Sequence, residues 1–203
     1  GPVVAWPALL LVTALALVGS IARAHKTSAP TAIVVAALAY PASALFIPGR
    51  IDHHGLQLVL LLALVRAVLG RGSWRTGSAA GLASAASLVV GMETAPLLAA
   101  GAGVIAVRWI AQGEDERARL MGYGLTLSGG LALAAILLRT SGWNYPACDG
   151  FDAPLWRAAQ LAAVAPLALL VDGASNQLLA CARLAQQQHR RAAAGHLARE
   201  TIH

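Results

Sequence analysis

Stretches of about twenty apolar residues, separated by short polar turns, recur from one end of the chain to the other and restrict its fold more than any other feature. In hydrocarbon every backbone N–H and C=O must be paired within the structure, so such stretches form helices and not loops or open sheets. In order they cover residues 4–22, 30–47, 55–69, two short runs within 78–110, then 118–138 and a last run from near Arg157. Pro30 suits a first helical turn, and Pro41 predicts a kink in the second run. Glu93, followed by Thr94-Ala95-Pro96, divides 78–110, because an unpaired carboxylate in mid-bilayer costs more than a tight turn near the surface. The alternative there is one long, tilted, Pro-kinked helix. The expectation is an all-α polytopic transmembrane bundle of about seven spans over residues 1–182. A basic, helical cytoplasmic tail, 183–203, follows it.

Composition agrees and excludes other classes. Only 12% of residues are charged, 58% are hydrophobic and the mean hydropathy is +0.65, whereas soluble domains carry about 25% charged residues. The net charge of +6 does not point to nucleic acid, because no basic patch carries interleaved aromatics that would track a phosphate backbone. Topology explains it better. Alternating spans put Arg23, Lys26, Arg66, Arg71, Arg75, Arg108, Arg117, Arg119 and the tail arginines on one side, and only Arg50, Arg139 and Arg157 on the other. By the positive-inside rule the basic side is cytoplasmic. The use of arginine over lysine hints at a G+C-rich bacterium, which places the chain in the cytoplasmic (inner) membrane. The chain opens on Gly1-Pro2 with no basic leader, so at least one upstream span is expected. Cys148 and Cys181 fall near opposite surfaces and are not expected to pair.

The densest polar chemistry is Pro48-Gly49-Arg50-Ile51-Asp52-His53-His54-Gly55-Leu56-Gln57, a tight turn on the outer side. Its plainest reading is a helix start, with Asp52 as the cap and Arg50 reaching lipid phosphate. That accounts for one acid but not for adjacent imidazoles. Carboxylate and imidazole together bind a divalent cation, Mg2+ or Mn2+, and arginine reads phosphate bidentately. Asp52, His53 and His54 are the candidate metal residues; Arg50, Gln57 and Glu93 are the candidate substrate contacts. Adjacent histidines on a helix point about 100° apart, so one of the pair is expected to ligate and the other to support it.

Other features have simpler readings. Trp143, Tyr145 and Trp156 suit an interfacial aromatic belt, and Asp149 and Asp152 suit solvated loop acids. Asp172, with Asn176 one turn on, suits helix packing. Glu114-Asp115-Glu116 against Arg117 and Arg119 reads as a solvated face. His189, His196 and His203 form one stripe on the basic tail, facing anionic lipid. Gly77, Gly81, Ser84, Ser87 and Gly91, with Gly122, Gly124, Gly129 and Gly130, mark close helix contacts.

Arg50-Ile51-Asp52-His53-His54-Gly55-Leu56-Gln57, in a short external turn between spans, resembles the acidic external-loop motif of oligosaccharyltransferase catalytic subunits, some archaeal members of which read Asp-His-His. These belong to the GT-C glycosyltransferases, multispan enzymes using polyprenyl-phosphate-linked or pyrophosphate-linked sugar donors. The resemblance implies that Asp52 and His54 are metal or donor-phosphate residues and that Arg50 contacts phosphate. It implies a lipid-linked sugar donor as partner, metal-assisted transfer facing the periplasm, and a catalytic acid upstream of residue 1. Missing N-terminal spans or a partner subunit would supply the rest. Ser141-Gly142-Trp143-Asn144-Tyr145 is not the family's Trp-Trp-Asp motif, so a peptide asparagine acceptor is not implied. The rival expectations are a proton- or cation-coupled transporter, using His53, His54, Glu93 and Asp172 as a path, and a non-catalytic membrane subunit.

Overall fold

The computed structural model describes residues 2–47, 53–138, 143–144, 151–165, 167–168 and 170. Among the described residues the structure is helical throughout, with no strand. The helices are α1 (Pro2–Ala24), α2 (Ala29–Leu38), α3 (Tyr40–Ser43), a 3-10 turn (Ala44–Phe46), α4 (His54–Val68), α5 (Trp74–Val90), α6 (Ala95–Gln112) and α7 (Glu114–Leu137). Residues 153–165 are also helical. All of these lie in one compact unit, Gly1–Pro166. Residues 167–203 group separately, and the basic tail lies outside the described residues.

Local chemistry sets the breaks. Ser28 caps α2, its side chain accepting from the Thr31 N–H, with Pro30 in the first turn. The second apolar run is interrupted and not merely kinked: α2 stops at Leu38, and Ala39 leaves the helical region. Pro41 has no N–H to continue the ladder, which accounts for the break. The stretch 78–110 is two helices and not one. α5 ends at Val90, α6 begins at Ala95 with Pro96 in its first turn, and Glu93 lies in the turn between them. The α6–α7 connection is shorter than the expected loop, a single Gly113 at φ 61°. That left-handed conformation suits a residue without Cβ.

Packing between α5 and α7 is closest. A β-carbon at Gly122 would sit 2.7 Å from the Trp74 carbonyl, and one at Gly130 would sit 2.9 Å from the Ala85 methyl. Small residues thus bring backbones together, as expected for helices that associate by packing and not by hydrophobic transfer. Gly129 has open space around it, so not every small residue marks a contact. Around α5 and α7, Leu98, Ile105, Leu120, Leu127 and Leu131 form the buried core. α1 and α4 share a second cluster of Leu10, Ala14, Phe46 and Val59.

Elsewhere the surface is apolar. Val12, Val35, Val107, Ile110 and Ile136 are largely exposed, a pattern that suits lipid and not water. Among the described residues three helices are long and apolar enough to cross a membrane: Val4–Ala24, Ala95–Gln112 and Glu114–Leu137. Ala29–Leu38 and His54–Val68 are apolar but shorter.

Candidate functional site

The first turn of α4 builds one end of the site. His53 occupies the N-cap position without a side-chain cap bond, and α4 begins at His54. The capping position expected for Asp52 therefore falls one residue later. Gly55 lets this turn press on the buried Phe46, whose ring would lie 3.1 Å from a β-carbon there. That contact fixes how α4 starts relative to the 3-10 turn.

Glu93 arrives from the other side, in the α5–α6 turn. The Ser87 and Thr94 hydroxyls, 2.8 Å apart, brace the two ends of this turn. Gly91 permits its approach to α4, since a β-carbon there would lie 2.9 Å from Gln57 Nε2 and 3.7 Å from His53 Nε2. The result is a three-donor cluster. Glu93 Oε2 lies 2.7 Å from His54 Nδ1, and Glu93 Oε1 lies 3.9 Å from His53 Nε2. The imidazoles are 4.3 Å apart between centroids, tilted by 43°. One donor atom from each of the three residues lies within 4.8 Å of the others. From this helix start both rings face the same carboxylate, His54 at hydrogen-bonding distance and His53 farther off.

All three side chains remain partly open to the exterior, whereas Gln57 beneath them is 2% exposed. Its Nε2 has no hydrogen-bond partner. A buried, unsatisfied amide donor costs about 1–3 kcal/mol. Of the sequence-derived candidates, the structure therefore gathers His53, His54, Glu93 and Gln57. Arg50 and Asp52 lie outside the described residues, as do Tyr145, Asp149, Asp172 and the tail histidines.

Arginines and an acid gather at the opposite end of α4, about 22 Å away at 1.5 Å per residue. The Arg119 guanidinium donates to the Val68 carbonyl at 2.8 Å and to the Gly70 carbonyl, and Arg108 donates to Val68 at 3.1 Å. Glu116 lies between them, 3.3 Å from Arg108 Nη2 and 3.2 Å from Arg119 Nε. The latter contact is off the hydrogen-bonding direction and acts as an ion pair. Glu116 and Arg119 are 2% and 0% exposed, so the solvated face expected for this stretch is corrected: only Glu114 and Arg117 pair at the surface. These guanidiniums satisfy carbonyls left free where α4 ends, and their positive charge suits a helix C-terminus.

Asp152 is also reassigned. It is buried, and its Oδ1 accepts from the Leu155 N–H at 2.8 Å, which caps helix 153–165. The Trp143 ring packs edge-on to Phe151, centroids 5.3 Å apart, and lies near Trp156. Helix 153–165 is tied to α7 by a reciprocal pair, the Ser128 hydroxyl donating to Gln160 Oε1 and the Gln160 amide donating to the Ser128 carbonyl.

No protein family, no curated protein and no solved structure matches the chain.

Proposed function

We propose that the chain is the membrane portion of a GT-C-type glycosyltransferase that takes sugar from a polyprenyl-phosphate or polyprenyl-pyrophosphate donor. One observation carries this reading: the two imidazoles that follow Asp52 meet Glu93 at the end of the bundle away from the buried arginines. A donor of this kind places its phosphate at the bilayer surface and its chain in hydrocarbon. The site end answers to the first requirement with metal-ligating groups, a buried amide donor and, next in sequence, Arg50. An apolar groove of about 410 Å³ between α6 and the second half of α4 answers to the second, lined by Leu61, Leu64, Val68, Leu69, Leu97 and Val104. Both helices start at the cluster, and the groove lies farther along them, beginning about two turns into α4.

The residues fit a divalent ion, since neutral imidazole nitrogen and carboxylate oxygen are both ordinary ligands for one. His53, His54 and Glu93 would hold it. Bound there, the ion would polarise the phosphate and stabilise its negative charge on departure. The chain's own groups position the donor. Gln57 Nε2 donates to a phosphate oxygen, and Arg50 pairs with another. In the reaction the bond from the anomeric carbon to the phosphate oxygen breaks, and the electron pair leaves with the phosphate. An acceptor heteroatom bonds to that carbon and gives its proton to a carboxylate. Asp52, adjacent to His53 in sequence, is this chain's candidate for that carboxylate, since Glu93 would hold the ion. The charge pattern orients the site toward the periplasm and the arginine end toward the cytoplasm of a bacterium.

The test is transfer of labelled sugar from a polyprenyl-phosphate donor by the full-length protein, with any partner subunit, in proteoliposomes. Asp52→Ala and His54→Ala are each expected to reduce transfer at least a hundredfold while inserting in the membrane as the parent does. Unchanged transfer in both variants removes the proposal.

A further inference from the structure

We propose that His53, His54 and Glu93 form one binding site for a first-row transition dication in preference to Mg2+, and that the Gln57 amide donates to the anion this ion carries. The ligand set stands apart from the transferase reading; only the identification of the anion as a donor phosphate rests on it. Sequence motif alone grouped the histidines with Asp52 and left Glu93 among the substrate contacts. Geometry makes Glu93 the residue that joins them.

Distances support a shared ion. Ligand atoms about 2.1 Å from one ion lie roughly 3.0 Å apart at a right angle and about 3.4 Å apart at a tetrahedral angle. The two observed separations, 2.7 Å and 3.9 Å, fall on either side of this range. The separation between the two imidazole nitrogens is within 4.8 Å, so side-chain shifts of about 1 Å bring all three atoms around one ion. The histidines ligate through Nδ1 of one and Nε2 of the other, and the carboxylate faces both.

Ligand chemistry sets the preference. Mg2+ demands oxygen ligands and gives up water reluctantly, whereas imidazole suits the later first-row metals. A pair of imidazoles with one carboxylate leaves coordination positions open on the exterior side, where an oxyanion can enter. Gln57 supplies a second, independent sign of a ligand. It is 2% exposed and its Nε2 has no partner. That atom and His53 Nε2 both lie within 4 Å of the point where a Gly91 β-carbon would stand. An oxyanion on the ion would satisfy the amide that the protein leaves unpaired.

The whole chain in detergent micelles is titrated with Mn2+, and the free-ion six-line EPR signal is followed. Wild type is expected to take up one equivalent. Co2+ should displace it, following the Irving–Williams order, whereas a hundredfold excess of Mg2+ should not. Glu93→Gln and His54→Ala are each expected to weaken Mn2+ uptake at least tenfold, with thermal unfolding unchanged because these side chains are partly exposed. Should either variant unfold, His53→Ala serves as the third ligand deletion. Inorganic phosphate is expected to raise wild-type Mn2+ affinity, and Gln57→Leu to lose that increase. Mn2+ uptake that is absent, insensitive to Glu93→Gln, or abolished by equimolar Mg2+ overturns the site. Phosphate without effect on wild type overturns the role of Gln57. Normal Mn2+ uptake with no binding of polyprenyl phosphate would strike the transferase reading and leave this site intact.

Discussion

Replacing Glu116 with alanine is expected to lower the free energy of unfolding by about 3–5 kcal/mol, the usual cost of removing one partner from a buried ion pair. Its carboxylate stands between Arg108 and Arg119, and Arg119 has no exposed surface. Without it, two guanidiniums converge on the Val68 carbonyl with no neutralising charge. Arg119 cannot leave without abandoning the Gly70 carbonyl where α4 ends. Glu114→Ala is the contrast, because its pair with Arg117 is at the surface. Such pairs contribute roughly 0–1 kcal/mol. Unfolding of both variants in mixed SDS micelles measures the difference. A Glu116→Ala loss no larger than that of Glu114→Ala would show that the arginines are held by the carbonyls alone.

Gly77→Val is expected to be about as damaging as the loss of Glu116. A β-carbon at position 77 would overlap the Arg119 carbonyl and lie 2.8 Å from its carbon. One at Gly81 would overlap the Thr126 hydroxyl and lie 2.5 Å from the Tyr123 carbonyl. Backbone cannot rotate away as a side chain can, so α5 and α7 must separate. Overpacking typically costs about 1–3 kcal/mol, and here it also displaces the Arg119 contacts that begin on the same turn of α7. In a bilayer the lost van der Waals contact is not recovered by hydrophobic transfer, since lipid is as apolar as the helix. Gly103→Ala and Gly129→Ala, with nothing within 4 Å, should be neutral or stabilising by up to about 1 kcal/mol in the same assay. If Gly77→Val unfolds at the same SDS fraction as the parent, the close α5–α7 approach is wrong.

Much of the helix pattern was readable from the chain itself. The turn at Glu93 followed from the cost of a lone carboxylate and from Pro96, and α5 and α6 do divide there. The break after Leu38 was read only as a kink, because a proline shows that the ladder is interrupted but not whether neighbours hold the halves in line. The burial of Glu116 and Arg119 was missed by reading the charge run as a solvated unit. Helical spacing held the correcting signal: Glu116, Arg119, Leu120, Tyr123, Leu127 and Leu131 fall on one face, and that face is buried. Asp152 carried a similar sign, since an acid two residues before Pro154 suits a helix start. At the site, the chain placed His53, His54 and Glu93 at turns on a common side. It could not show that both imidazoles reach one carboxylate, because that depends on Gly91 and Gly55 letting the turns approach. The free Gln57 amide depends on the same approach, and no periodicity announces it.

Binding of a fluorescent polyprenyl phosphate to the chain in nanodiscs, titrated with and without Mn2+, tests the central claim most directly. Binding should tighten at least tenfold with Mn2+ in the parent, and Glu93→Gln and His54→Ala should remove that gain. Equal affinity with and without the ion, or a gain that both variants keep, would mean that this end of the bundle does not hold a lipid phosphate through a metal.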